Sequence, residues 1–489
     1  MPDRDSIDRQ NKNAANGSSR QNRNAANGRN RQYKRVGYLQ LLFGRVSHRD
    51  RARQVRARLF TLGGAVLLIV LLIVIIAAAK GTHKDGDSAA DASRDAQISG
   101  SEDGSRITLG ATGCVLLHSP FLNHYADAEG NYDFSDCFRY IRDYYSAPDY
   151  MTAEFEGTVE LNPVNYSAVP NFRCPEVIID NLSDAGIDLQ LTATNHAYDG
   201  GSAGVVNTAQ AFKDHNLLQT GLRTDTEEKN YYVADVKGIK IGYVDYTYGT
   251  MSNFNGAEME DDGTLDLINN FDPEDPETLY GEMAAVIAGM KLEGAEFIVA
   301  NMHWGYEYET TECEYQEEIA QRFCDMGVDA LIGGHPHVVQ PIDYLTSSDG
   351  SHNMFVIYSV GNILSNQMTE YLVDEPSGHT EDGVMVTMTL DVDDEGEVIL
   401  ADVDLLPTWC HRINYYADET TSDTTTVEES DDNITDVNYY ILPLDDVDGL
   451  EELTGLPNIR NDAQESYDRT MEILGPGLEK VKEALGTAV

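Results

Sequence analysis

Hydrophobic and polar positions follow two rhythms along most of the chain, and a third pattern breaks them near the N-terminus. Short apolar runs of strand length recur at residues 107–117, 187–192, 239–246, 297–302, 328–332, 354–358, 384–390 and 398–405. Their length and β-branched content predict strands. Between them, 176–185, 203–214, 276–291 and 314–326 carry apolar residues at helical spacing, and 135–145 places aromatic residues in the same way. These segments predict amphipathic helices. The alternation predicts an α/β protein with a buried sheet, its later strands following one another more closely.

The third pattern is the stretch 59–79, LFTLGGAVLLIVLLIVIIAAA, which has no charged residue. A helix of that length rises about 30 Å, the thickness of one hydrocarbon core, so a transmembrane helix is predicted there. The small residues Ala77-Ala78-Ala79 resemble a signal-peptidase site, but the run exceeds the usual length of a signal core and 58 residues precede it, which favours an uncleaved anchor.

Charge sharpens that topology. The 489 residues include 34 Lys+Arg and 83 Asp+Glu, a formal net charge of −49. Residues 1–58 hold 15 basic and four acidic side chains, so this tail is net +11 and the rest is net −60. By the positive-inside rule the tail stays in the cytoplasm and everything from residue 80 onward lies outside. So acidic a surface excludes a sequence-independent nucleic-acid binder, which must neutralise phosphates with Lys and Arg. A 41% hydrophobic content excludes overall disorder, and six cysteines in this length exclude a disulfide-built miniature scaffold.

The expected organisation is a basic, disordered cytoplasmic tail (1–58) containing the repeat NKNAANG and NRNAANG, the span (59–79), a polar linker (80–105), one large folded domain (106–412), and an acidic linker with a C-terminal helical extension (413–489). Within that extension, 463–485 reads as helical with a break at Gly475-Pro476-Gly477.

Five segments place ligand-type side chains at or just after strand candidates: GATGCVLLHSP (110–120), AEFEGTV (153–159), TATNHAYDGG (192–201), NMHWGYEY (301–308) and GGHPHVVQP (333–341). Strand carboxyl ends in an α/β sheet gather in one crevice, so segments far apart in sequence converge. Histidines and acids converging in this way make a metal site. Each segment alone has a plainer reading: His335-Pro336-His337 as a solvated loop, His303 beside Trp304 as packed core, Asn195-His196 as a turn and helix cap. Their joint occurrence in order favours the metal site.

On the blocks Glu156-Gly157, Thr194-Asn195-His196-Ala197-Tyr198-Asp199-Gly200, His303-Trp304-Gly305-Tyr306-Glu307-Tyr308, Gly334-His335-Pro336-His337-Val338 and Tyr358-Ser359-Val360-Gly361-Asn362, the chain resembles the CapA family of bacterial poly-γ-glutamate capsule proteins. That family is similar in fold to the calcineurin-like metallophosphoesterases, and the resemblance covers about residues 106–405. It implies a metallophosphoesterase-like αββα sandwich of two mixed β-sheets flanked by helices. It also implies that Glu156, Asn195, His303, His335 and His337 are ligands to one or two divalent ions (Mn, Fe or Zn), that His196 transfers a proton at the scissile bond, and that Asp199 fixes His196 or the following turn. A cell-envelope or capsule polymer is the implied substrate, with capsule-synthesis membrane proteins as partners.

Two positions depart from the family pattern. Cys114 stands where the family has an aspartate; it either ligates a softer ion such as zinc as thiolate or leaves the site with one metal or none. His118 is no substitute, since four residues along a strand span about 13 Å. Glu154 stands where the family has Asn, and either restores the lost charge or faces solvent. Two functions follow: a membrane-anchored, metal-dependent hydrolase or transferase, or a non-catalytic envelope scaffold with a degenerate site. The other cysteines, Cys137, Cys174, Cys313, Cys324 and Cys410, are expected to be free thiols.

Overall fold

In the computed structural model of the protein, residues 106–369, 372, 377–416 and 434–487 are described. The expected transmembrane stretch 59–79 lies outside them, as do the basic tail and the whole polar linker. Among the described residues no helix is long and apolar enough to cross a membrane.

The strands, in chain order, are β1 (Ile107–Val115), β2 (Tyr150–Phe155), β3 (Thr158–Glu160), β4 (Arg173–Pro175), β5 (Leu189–Leu191), β6 (Leu218–Thr220), β7 (Tyr232–Val236), β8 (Ile239–Tyr248) and β9 (Asn270–Phe271). They continue with β10 (Phe297–His303), β11 (Ala330–Gly334), β12 (Val339–Thr346), β13 (Asn353–Val360), β14 (Asn362–Leu364), β15 (Asp382–Val392), β16 (Val398–Tyr416) and β17 (Ile434–Pro443). One sheet runs β17-β16-β15-β1-β2-β5-β6 with β14 beside β1, and the other β12-β13-β11-β10-β8-β7 with β9 beside β8. In each sheet a parallel centre (β1, β2, β5, β6; β8, β10, β11, β13) carries antiparallel strands at its edge. The protein is therefore mixed α/β, with two mixed sheets flanked by helices.

Period-two alternation explains the layering. Ile107, Leu109 and Ala111 of β1 share a core with Ile241 and Tyr243 of β8 and Phe297 and Val299 of β10, so the two sheets face each other there. The intervening residues point outward. Ile298, Ala300 and Met302 pack with Leu279, Met283 and Phe323 from the helices Glu277–Leu292 and Glu314–Asp325. On the other sheet Met151, Ala153 and Phe155 of β2 pack with Ile178, Ile179 and Leu182 of the helix Val177–Asp184. Strands buried on both faces read in sequence as the apolar runs noted above.

The C-terminal region is woven into this body. The boundary expected at 412 falls inside β16, which runs on to Tyr416 because Thr408–Tyr416 pairs with β17. The helix Arg460–Leu485 sends Leu474 and Val481 into the inter-sheet core. No break occurs at Gly475-Pro476-Gly477: Pro476 lies inside a continuous helix, and Gly477 sits where a Cβ would lie 2.2 Å from the Ile342 carbonyl oxygen of β12. The missing side chain there permits contact of helix and strand. The predicted helix over 135–145 is a 3-10 turn, Ser135–Phe138, followed by one short helix, Arg142–Tyr145.

Candidate metal centre

The parallel strands of both sheets end at the same rim of the sandwich. Cys114 lies near the end of β1, Glu154 near the end of β2 and Glu156 just beyond it; Asn195 and His196 follow β5, His303 ends β10, and His335 and His337 follow β11. Register fixes their neighbours, since Cys114 pairs with Glu154 and with Asn362, and His303 pairs with Gly334 and Thr247. All seven residues named from the sequence as ligands or proton donor are buried.

Their contacts form a network that crosses from one sheet to the other. Cys114 Sγ donates to Glu154 Oε2 at 2.8 Å, and Glu154 Oε1 lies 2.5 Å from His303 Nδ1. On its other side His303 Nε2 lies 3.0 Å from Asn195 Oδ1 and 3.8 Å from Glu156 Oε1. Ligand atoms of Cys114, Glu156 and His303 lie within 4.8 Å of one another, close enough to share an ion. The His335 ring is 4.8 Å from that of His303, centre to centre, and 6.0 Å from that of His337. His335 and His337 both have left-handed backbone (φ 95° and 59°), an unfavourable conformation for side-chain-bearing residues that aims the His-Pro-His loop at the rim.

His196 is held apart from this cluster and aimed toward it. Its Nδ1 is 2.7 Å from Asp199 Oδ2, and that carboxylate also accepts from the Phe172 backbone N–H at 2.5 Å. Its Nε2 lies 3.8 Å from Glu156 Oε1. Asp199 thus fixes the imidazole and contacts none of the cluster ligands by hydrogen bond. His118 takes no part either, because the chain leaves β1 at Val115 and His118 Nδ1 accepts the Asn366 backbone N–H at 3.1 Å. Glu154 does not face solvent: it is inside the site, and sequence pattern carried the signal. Phe155 packs into the outer core, so its neighbours 154 and 156 must turn to the other face.

Burial sets the electrostatics. It pushes Glu154 up to about 7 and Glu156 well above the ordinary carboxylate range, with the Glu154 charge adding to the shift of Glu156. It pushes His303 and His335 well below the usual imidazole range and His337 down to about 3. The Cys114 thiol is raised well above its usual value by burial and then by Glu154 and Glu156. Deprotonated carboxylates and neutral imidazoles are what a divalent cation requires, and a cation supplies the charge that the two buried acids lack. The residues fit a metal on a second observation: both oxygens of Glu156 and Nδ1 of His335 are buried with no hydrogen-bond partner. Such orphaned groups are costly unless something binds them.

A cleft of about 730 Å³ opens beside His335, lined among others by Tyr248, Tyr306, Asp272, Glu274 and Glu307, with no lysine or arginine on its walls among the described residues. All six cysteines are free; Cys313 is half-buried and the rest are buried.

The profile of the family described as bacterial capsule synthesis protein PGA_cap matches residues 108–367, the segment that carries every residue of the cluster. The chain is 26% identical over 267 residues to the capsule biosynthesis protein CapA of Bacillus anthracis, covering 54% of this chain and 60% of that protein. It is 27% identical over 239 residues to the PGA biosynthesis protein CapA of Bacillus subtilis (strain 168), covering 47% and 57%. The chain thus spans less than two thirds of the length of either relative. The chain belongs to the bacterial capsule synthesis protein PGA_cap family.

Proposed function

We propose that the protein is a metal-dependent hydrolase or transferase of a cell-envelope or capsule polymer, built on a metallophosphoesterase-like sandwich and held at the outer face of the membrane by residues 59–79. Membership of the capsule-synthesis family supports the polymer; the basic tail before the apolar run 59–79 is what favours the outer location, with capsule-synthesis membrane proteins as partners, and the acidic balance of the rest of the chain speaks against nucleic acid. One observation carries the metal dependence: Glu156 presents two buried oxygens without hydrogen-bond donors, and one of them, Oε1, lies 3.8 Å from Nε2 of both His196 and His303.

Glu156, Asn195, His303, His335 and His337 would hold one or two divalent ions (Mn, Fe or Zn), with Cys114 beside them. A bound metal supplies Lewis-acid polarisation of the scissile phosphoryl or carbonyl group and activation of water. The protein's own residues do the rest. His196, oriented by Asp199, gives a proton to the leaving group from Nε2. The low-dielectric walls strengthen each of these interactions.

The acidic cleft bears on the substrate. A polyanion such as poly-γ-glutamate meets Asp272, Glu274 and Glu307 at close range, so its entry depends on bound cations or high salt. A second reading, a non-catalytic envelope scaffold, draws on Cys114, whose thiol is already engaged by Glu154. The two separate in an activity screen of the full chain with Mn, Fe and Zn against γ-glutamyl peptides and phosphodiesters. Metal-stimulated turnover lost in His196→Ala supports the enzyme; metal-independent silence on every substrate supports the scaffold.

A further inference from the structure

We infer that Cys114 stands behind the metal position rather than on it, forming with Glu154 a positioning pair for His303. The inference rests on the metal-dependent reading above. The rim side chains divide according to what their atoms already touch. Glu154 is engaged at both oxygens, by the Cys114 thiol at 2.8 Å and by His303 Nδ1 at 2.5 Å. A carboxylate accepting from Nδ1 places the imidazole proton there and turns the Nε2 lone pair toward the site, the arrangement found behind most metal-bound histidines. That Nε2 points to Asn195 Oδ1 and Glu156.

His337 repeats the arrangement with a different acceptor. The Asn362 amide nitrogen has three acceptors, the His337 and Thr380 carbonyls and Gln367 Oε1, which fixes the amide so that its Oδ1 faces His337 Nδ1 at 3.1 Å. His337 thus also turns its Nδ1 to a fixed acceptor. Glu156 and His335, by contrast, keep buried atoms with no partner. The Cys114 thiol is turned to Glu154, and Glu154 to the Nδ1 side of His303, opposite the Nε2 atom that faces Asn195 and Glu156, so Cys114 falls with the support. Its strand explains why: Cys114 and Glu154 are paired positions on parallel β1 and β2, so the thiol lies beside the carboxylate wherever the rim loops move. An ion held by Glu156, Asn195 and imidazole nitrogens has only oxygen and nitrogen ligands, a set that suits Mn or Fe as well as Zn.

Cobalt tests this without any assay of activity. The full chain is titrated with Co²⁺ alone and its absorption recorded, since a thiolate ligand adds an intense sulfur-to-cobalt charge-transfer band in the near ultraviolet. The expected result is a visible cobalt spectrum with no such band, and a Cys114→Ser variant of unchanged affinity. Glu154→Leu is expected to lose roughly 10–100-fold in affinity, and Glu154→Gln, which keeps an acceptor for His303 Nδ1, to lose less. A charge-transfer band that disappears in Cys114→Ser overturns the inference, as does Glu154→Leu with wild-type affinity. If the leucine variant does not fold, the band and the Cys114→Ser affinity decide. Failure to bind cobalt at all contradicts the metal-dependent reading itself, and is recognised by the absence of any visible spectrum.

Discussion

Gly334 at the end of β11 and Glu154 on β2 approach so closely across the two sheets that a Cβ at position 334 would lie 2.1 Å from Glu154 Oε2. Glycine is required at the rim because this carboxylate fills the space between sheets. Gly334→Ala is therefore expected to cost about 1–3 kcal/mol through overpacking. Most of that cost should vanish in a Glu154→Ala background, because the clash needs both groups. Urea denaturation of the four proteins of this cycle gives the coupling directly, and simple additivity would refute the contact.

His196→Ala is expected to lower turnover by about 10²–10⁴-fold while leaving metal content unchanged. His196 reaches Glu156 only at 3.8 Å and is held by Asp199, so it serves proton transfer and not metal retention. Parallel measurement of turnover and bound metal distinguishes the two roles. Loss of metal in the variant would make His196 a ligand.

The C-terminal helix is tied to the sheet by a buried ion pair. Arg469 donates to both oxygens of Asp382 at 2.9 and 2.8 Å, and Ser466 Oγ adds a third bond at 2.6 Å. Arg469→Leu strands a buried carboxylate and is expected to cost about 3–5 kcal/mol. Chemical denaturation measures it, and a cost under about 1 kcal/mol would mean that the pair behaves as a solvent-screened surface pair and that apolar packing alone holds the helix.

His215, in the last turn of the helix Gly201–His215, lies 2.8 Å from Asp180 of the helix Val177–Asp184 and 3.1 Å from Glu176, the N-cap residue of that helix. The hydrogen bond to Asp180, above all, raises its pKa. A raised histidine stabilises the fold fully below its unfolded pKa of about 6.5, and the contribution disappears as pH rises through the folded value. His215→Gln should therefore be less stable than the wild type in mild acid, by up to about 1 kcal/mol because the pair is partly solvated, and equal to it at alkaline pH. Denaturation midpoints across that range test the sign; a difference that grows toward alkaline pH would reverse it.

Much of the fold was legible because its central strands are buried on both faces. The runs at 297–302 and 354–358 needed no long-range knowledge, and the motifs at 192–201, 301–308 and 333–341 lie where strand ends converge. What was not legible depends on pairing at a distance. β16 continues beyond 405 only because β17 pairs with it, and β17 follows the acidic stretch read as a linker. Pro476 reads as a break in any local window, yet the packing of Leu474, Gly477 and Val481 keeps the helix whole. The orientation of Glu154 was within reach through the alternation around Phe155, but β2 was too short and polar at its end to be read as a strand.

Above all, Glu156 and the rim histidines are proposed to hold a divalent ion. Elemental analysis of the full chain, purified without chelator and compared with Glu156→Gln, tests it most directly. One or two equivalents of Mn, Fe or Zn in the wild type, falling at least tenfold in the variant, is the predicted result. A wild-type protein that stays metal-free after incubation with each of the three ions would contradict it.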